Sequence, residues 1–273
     1  MGPCISCLTV THDRLILLKE AIRCYCDQIW PNREMVIVTD GSPRYRRAVA
    51  DHIRFLGRDD IRIETVEPGA TLGCMRNVSV DAARGEVICQ WDDDDLYHPR
   101  RLQAQWELME TQHAGACFLT DHLQFLAHLR EVRWIDWTRG GWLTGGLELV
   151  PGTVMAHKAI AGRYPERGRA ASQGEDNHFR SGLLARGKVA ALSGHGYLYL
   201  YRYHGNNTTP ELHHHKIWVF GCLEWAEIQS REEILRSSLE YYKLPEPWKL
   251  VSREGLSELL HGQDWTLHPH HAS

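Results

Sequence analysis

The chain has no apolar run of the roughly 18 residues that a membrane-crossing helix needs, so no transmembrane segment is expected. Its opening, MGPCISCLTVTHDR, lacks the basic segment and long apolar stretch of a secretory leader, and none is expected there. It has no internal repeat and no low-complexity tract. A G-x-x-x-x-G-K-[ST] phosphate loop is missing, and no G-x-G-x-x-G follows the first apolar run, which argues against a P-loop NTPase and a dinucleotide enzyme. An excess of positive charge is missing too. Thirty-one Lys and Arg face 35 Asp and Glu, for a net charge of -4 with His neutral. Nothing in that balance draws the chain to nucleic acid, so no nucleic-acid partner is expected, and a phosphorylated ligand must be met by local groups.

What is present is ordinary for a globular protein: 273 residues, 43% hydrophobic and 24% charged. That is enough for one large domain or two small ones. Eight cysteines include Cys4-x-x-Cys7 and Cys24-x-Cys26. Zinc is one reading of such pairs. In a strand, however, residues three apart point to opposite faces, and in a helix residues two apart share none. The cysteines are therefore read as small buried hydrophobes in a reducing, cytoplasmic setting.

The first 112 residues alternate strand and helix. Ile5 to Val10 is a short apolar strand. Asp13 is placed to cap a helix with Leu15, Leu18, Ile22 and Tyr25 on one face. Met35–Val38 is a continuous apolar run, as in a strand buried on both faces, and ends in the turn Thr39-Asp40-Gly41-Ser42-Pro43. A helix over 43–56, a strand over 61–66, a helix over 71–84 and a strand over 86–90 follow, and Pro99 opens another helix. This βαβαβαβα pattern predicts a parallel, doubly wound sheet. Ligands bind such sheets beyond the carboxyl ends of the strands. Thr11-His12-Asp13, Asp40-Gly41-Ser42 and Asp92–Asp95 would then share one rim.

The second half is less regular. Trp134, Trp137 and Trp142 stand among glycines, GEDNHFRSGLLAR reads as a helix over 174–186, and 190–203 reads as a tyrosine-rich strand. From about 211 the pattern looks helical to the end, broken near Pro245 and Pro247.

Four carboxylates in QWDDDDLYHP directly follow an apolar strand. Crowded like charges are tolerable where a hard divalent cation neutralises them. The loop lacks the Gly at position six and the Glu at position twelve of an EF-hand. Mg²⁺ or Mn²⁺ on one or two carboxylates, completed by substrate phosphates and water, fits better. A solvated acidic loop is the plainer alternative.

Five segments, ISCLTVTHDR, VIVTDGSP, GATLGCMRNVSVDAARGEVI, WDDDDLYHPRRL and GEDNHFRSGLLARG, stand in an order and spacing that resembles family 2 glycosyltransferases of GT-A fold, over roughly residues 3–205. The resemblance implies an α/β fold: a doubly wound, mostly parallel GT-A sheet over 1–210, with a nucleotide-binding half at 1–112 and an acceptor half at 113–210, and a helical C-terminal extension over 211–273. That extension could dock a partner domain or a membrane surface. The implied activity is metal-dependent, inverting transfer of a sugar from a nucleotide diphosphate donor, UDP-linked by preference, to a carbohydrate or glycoconjugate hydroxyl, as in polysaccharide synthesis.

The resemblance also implies site roles. Asp40 meets the nucleoside, although the family commonly has two Asp where this chain has Thr39-Asp40; an Asx turn before Gly41 is its plainer role. Thr11 lies on the same donor-binding rim. Arg76, in G-x-x-R-N, steadies the nucleotide or an Asp of the acidic loop. Asp92 and Asp93 contact the donor, Asp94 is the favoured metal ligand, Asp92 a second one, and His204 a third. Glu175-Asp176 matches the family's catalytic pair, with Asp176 the base for the acceptor hydroxyl. A carboxylate in a first helical turn is also favoured by the helix dipole, which would lower its pKa. The tryptophans at 134, 137 and 142 and the stretch Val150–Thr153 fall where relatives bind acceptor. A sugar nucleotidyltransferase and a non-catalytic carbohydrate-binding scaffold are the competing functions; the first usually has a Gly-rich, Arg-containing loop that THDR lacks.

Overall fold

The computed structural model describes residues 2–140, 148–207 and 211–260. In chain order the strands and α-helices begin β1 (Ile5–Thr11), α1 (Leu15–Cys26), β2 (Arg33–Thr39), α2 (Pro43–Leu56), β3 (Ile61–Thr65), α3 (Leu72–Ala82) and β4 (Val87–Gln90). Then come β5 (Leu96–Tyr97), α4 (Arg101–Gln112), β6 (Ala116–Leu119), β7 (Asp121–Leu126), β8 (Glu131–Asp136) and β9 (Met155–His157). The chain closes with α5 (Glu175–Arg186), β10 (Val189–Leu192), β11 (Tyr199–Tyr203), α6 (Glu211–Gly221), α7 (Trp225–Gln229), α8 (Glu232–Tyr242), β12 (Trp248–Val251) and β13 (Ser257–Leu260).

Two compact units result. The first takes Met1–Asp95, Pro99–Phe118 and Pro151–Ala191; the second takes Leu96–His98, Leu119–Val150 and Leu192–Ser273. The first unit is built on a seven-stranded sheet in the order β10-β6-β9-β4-β1-β2-β3. Strands β4, β1, β2 and β3 are parallel neighbours, while β9 runs antiparallel to both β4 and β6. Every residue of β1 and β4 is buried, and all but the first of β2, as continuous apolar runs with helices on the sheet require. The connecting helices carry local stop and start signals. Ser42 accepts from the Tyr45 N–H, Pro43 opens α2, and Gly57 closes it at φ 63°. Thr71 caps α3 by accepting from the Cys74 N–H.

The second unit holds a six-stranded sheet, β13-β12-β8-β7-β11-β5. β7 and β8 form a hairpin, β11 lies parallel to β7, and β12 lies parallel to β8. Among the described residues no helix is long and apolar enough to cross a membrane.

Three sequence expectations change. The segment after 211 is not helical throughout: after α6, α7 and α8 the chain forms the β12–β13 hairpin, and β12 joins β8. A four-residue run such as Trp-Lys-Leu-Val is too short for its period to separate strand from helix. The tyrosine strand is interrupted at 193–198, so that β10 belongs to one sheet and β11 to the other. Asp13 does not cap α1. It adopts φ 48°, and its Oδ1 accepts from the backbone and hydroxyl of Ser42, bracing the loop after β2.

Candidate active site

Of the expected catalytic, donor-binding and metal-ligating residues, all but His204 lie in the first unit, at the end of β1, on the loops after β2 and β4 and on the helices α3 and α5. The acidic loop is anchored by Trp91. This side chain is fully buried, its Nε1 donates to Ala21 O at 3.0 Å, and its backbone carbonyl accepts from Thr9 Oγ1 at 2.7 Å. The aspartates after it alternate in exposure: Asp92 and Asp94 are half-buried, Asp93 and Asp95 buried. Burial, then the charge of Asp94, pushes the Asp93 carboxyl up to about 7.

Two arginines divide the carboxylates between them. Arg76, buried on α3, reaches Asp92 Oδ1 with Nη2 at 3.0 Å and Glu175 Oε1 with Nε at 3.1 Å. Burial opposes its charge, but Asp92 and Glu175 outweigh that and raise its pKa well above the usual value. Asp92 is held further by Gln90, whose Nε2 donates to Oδ2 at 2.9 Å. Arg14, just before α1, reaches Asp93 Oδ1 with Nη2 and Asp94 Oδ2 with Nη1, each at 2.7 Å. Sequence reasoning gave Arg14 no role. Its only signal was its position in THDR, next to the rim loop.

Neighbouring Asn77 fixes the floor beneath Arg76. Its Oδ1 accepts from Tyr164 N and its Nδ2 donates to Tyr164 O, both at 2.9 Å. The Arg76 guanidinium stands 5.8 Å from the Tyr164 ring centre, and that ring stacks on Phe179 of α5 at 4.2 Å. The close approach needs glycine at position 73: a Cβ there would sit 1.9 Å from Pro165 O. Sequence fragments nearly a hundred residues apart thus meet at one guanidinium.

Glu175 is buried against Arg76, whereas Asp176 beside it is half-buried. Burial, then the like charge of Glu175, raises the Asp176 carboxyl to about 6, against the lowering by Arg76 and by the Asn177 N–H. The helix start does not win, contrary to the plain expectation for a first-turn carboxylate. Burial and a charged neighbour outweigh a terminus whose lead residue, Gly174, offers no capping side chain.

At the rim beyond β2, Asp40 is buried and both its oxygens are engaged. His12 Nδ1 lies 2.6 Å from Oδ1, and the Gly69 N–H donates to Oδ2 at 3.1 Å. Thr11 Oγ1 lies 2.5 Å from the Tyr45 hydroxyl. His204 belongs to the second unit, on the turn after β11, where its N–H donates to Asn207 Oδ1 at 2.9 Å. Trp134 is packed inside that unit, donating from Nε1 to Asp121 Oδ2 at 2.8 Å. Trp137 is half-buried against the Ile135–Ile217–Cys222 cluster. Trp142 lies outside the described residues.

No group of three or more His, Cys, Asp or Glu among the described residues is arranged to hold a metal ion alone. The donor chemistry still suits a hard dication that takes one or two carboxylates and completes its shell with substrate oxygens. Asp92 and Asp94 stand two residues apart on an anchored loop, and buried Asp93 Oδ2 has no hydrogen-bond donor among the described residues.

Comparison with known proteins agrees with this architecture. The family model described as Glycosyl transferase family 2 matches residues 6–151, just over half of the chain. An uncharacterized glycosyltransferase of Methanocaldococcus jannaschii, MJ1057, is 32% identical over 111 residues, covering 40% of this chain and 38% of its own. Matches to the curated relatives span 28–42% of those relatives' lengths. Among solved structures, S. aureus TarS residues 1–349 in complex with UDP-GlcNAc superposes with a TM-score of 0.59 at 16% identity, over 86% of this chain and 71% of that one. The mannosyltransferase PcManGT of Pyrobaculum calidifontis, in complex with GDP-Man and Mn²⁺, superposes with a TM-score of 0.54 at 13% identity, over 91% and 72%. At those identities the likeness is one of fold: a GT-A-type mixed sheet with a parallel core.

Proposed function

Because this chain belongs to glycosyl transferase family 2, we propose that it transfers a sugar from a UDP-linked donor to a hydroxyl of a carbohydrate or glycoconjugate, with inversion at the anomeric carbon. The observation that carries the reading is the Glu175–Asp176 pair. One carboxylate is neutralised by Arg76, which also grips the acidic loop, and the other keeps a carboxyl raised to about 6. A base with that pKa is ionised at neutral pH yet binds a proton far better than a free aspartate.

Asp176 takes the proton of the acceptor hydroxyl as that oxygen bonds to the anomeric carbon. The bond from that carbon to the diphosphate oxygen breaks on the opposite face, which inverts the configuration. The sugar passes through an oxocarbenium-like transition state, as in glycoside hydrolysis. Arg76 keeps Glu175 and Asp92 in fixed relation, so the base and the donor-binding loop share one anchor. Asp40, on the rim with Thr11, accepts from the imide N–H of the base, within reach of His12 and the Gly69 amide. Asp94 with Asp92 would hold Mn²⁺ or Mg²⁺, which supplies neutralisation of the charge that builds on the departing diphosphate.

The deciding experiment pairs a donor screen with one substitution. Calorimetry with UDP, GDP, CDP and dTDP, each with and without Mn²⁺, should show UDP with Mn²⁺ bound best. Asp176→Asn should keep that binding and lose sugar transfer by about a hundredfold or more. Equal binding of all four nucleotides overturns the base assignment. Full transfer by Asp176→Asn overturns the mechanism, and pyrophosphate release from a nucleoside triphosphate plus a sugar phosphate would mark a nucleotidyltransferase instead.

A further inference from the structure

The acidic loop already carries a cation of its own. Arg14 places two nitrogens of one guanidinium on two neighbouring carboxylates, Asp93 Oδ1 and Asp94 Oδ2. A planar fork does this; a lysine ammonium, a single point charge, does not reproduce it. The two contacts differ in kind. The Asp93 side chain is 1% exposed, whereas the Asp94 side chain is 14% exposed and the Arg14 side chain 32%. The Asp93 contact is therefore a buried ion pair that keeps the loop in place. The Asp94 contact lies where solvent and ligands reach.

Asp94 Oδ2 is also the oxygen type that a hard dication takes. A guanidinium and a dication on the same carboxylate repel each other at short range. We propose that Arg14 is a positioning residue that acts as a resident counter-cation. It holds Asp94 in the empty chain and gives it up, keeping Asp93, when a divalent ion arrives with a nucleoside diphosphate. The inference rests on the reading of Asp94 as the ion's ligand. Its consequence is coupling. The ion alone must displace Arg14 and binds weakly, whereas a diphosphate offers the freed guanidinium a new anionic partner. Ion and nucleotide then strengthen each other's binding by the same factor.

The test is Mn²⁺ binding followed by water-proton relaxation, with and without UDP, on the full chain. Arg14→Gln alone leaves Asp93 buried without its cation and risks misfolding, so the comparison is made in an Asp93→Asn background. Asp93→Asn keeps Arg14 on Asp94, and Asp93→Asn/Arg14→Gln removes it without stranding a buried charge. Without nucleotide, the double variant should bind Mn²⁺ about ten- to a hundredfold more tightly than Asp93→Asn, the weight of a charge-assisted contact removed. The gain in Mn²⁺ affinity on adding UDP should shrink correspondingly. Unchanged or weaker Mn²⁺ binding in the double variant overturns the inference. Asp94→Asn separates this from the parent reading. If Asp94→Asn abolishes Mn²⁺ binding while loss of Arg14 changes nothing, only the counter-cation role fails. If Asp94→Asn binds Mn²⁺ with UDP as the unaltered chain does, the assignment of Asp94 fails and the inference with it.

Discussion

In the proposed mechanism the chemistry of the site turns on one ionisation, that of Asp176, which the fixed charge of Arg76 tunes. Asp176, the proposed base, is competent only when deprotonated, and its carboxyl is raised to about 6. The rate should therefore climb with pH through about 6 and level off above 7. A kcat/KM profile between pH 4.5 and 8 reads this limb directly, and a limb near 4, the usual carboxylate range, would remove Asp176 from the role. Arg76→Met should shift the limb upward, because Arg76 is among the groups that hold the Asp176 carboxyl down. The same substitution strips buried Glu175 and half-buried Asp92 of their cation. Breaking a buried pair from one side costs about 3–5 kcal/mol, so urea unfolding should detect a loss of that order. The acidic residues of this cluster were legible before the fold was known, because each sits in a short family motif. Arg14 was not. Its partner Asp94 lies 80 residues away in sequence, and an arginine beside a helix start looks like any surface cation.

At the scale of elements, the regular half and the irregular half were legible to different degrees for one reason. The helices α1 to α3 and the strands between them carry clean periods, with side-chain caps at Ser42 and Thr71 and a glycine stop at Gly57, so β1 to β4 were drawn correctly as parallel neighbours. The second unit uses strands of two to six residues, and β7 and most of β8 are buried on both faces, one of them polar and aromatic, so hydrophobic period says little there. That face, on β7 and β11, presents His122, Gln124, Tyr199 and Tyr201, with His214 of α6 against Tyr201 at 4.7 Å and Gln124 Nε2 at 3.2 Å from His214 Nδ1. His122 is fully buried, and neither ring nitrogen has a hydrogen-bond partner among the described residues. Burial, then the imidazoles of His214 and His213, pushes its pKa down to about 3. An unfolded chain takes up this proton near pH 6.5 and the folded one does not. The site's contribution to stability is therefore complete above about 6.5 and is lost as pH falls toward 3. His122→Phe, similar in shape and unable to titrate, should gain on the unaltered chain by about 1.4 kcal/mol per pH unit below 6. Denaturant unfolding at pH 7, 6, 5 and 4 measures the difference, and a gap that does not vary with pH would show that the imidazole takes up its proton in the fold at the same pH as in the unfolded chain.

For the whole molecule, sequence order and structural unit do not coincide. The first unit collects three separate stretches of chain, and its last stretch supplies both β9, which lies between β4 and β6, and the start of α5, which carries Glu175 and Asp176. A reading that ends the nucleotide-binding half at residue 112 therefore cuts through a sheet. A fragment of residues 1–112 would expose the edge of β4 that β9 covers, and would leave Arg76 with only Asp92 of its two carboxylate partners. It also loses Tyr164, whose backbone satisfies both polar ends of Asn77. Such a fragment should show no cooperative thermal transition by circular dichroism and no calorimetric signal with UDP and Mn²⁺, whereas the full chain should show both. A fragment that melts cooperatively and binds UDP as the full chain does would mean that β1 to β4 need neither their antiparallel neighbour nor the α5 carboxylates, and that the anchor at Arg76 serves transfer rather than folding.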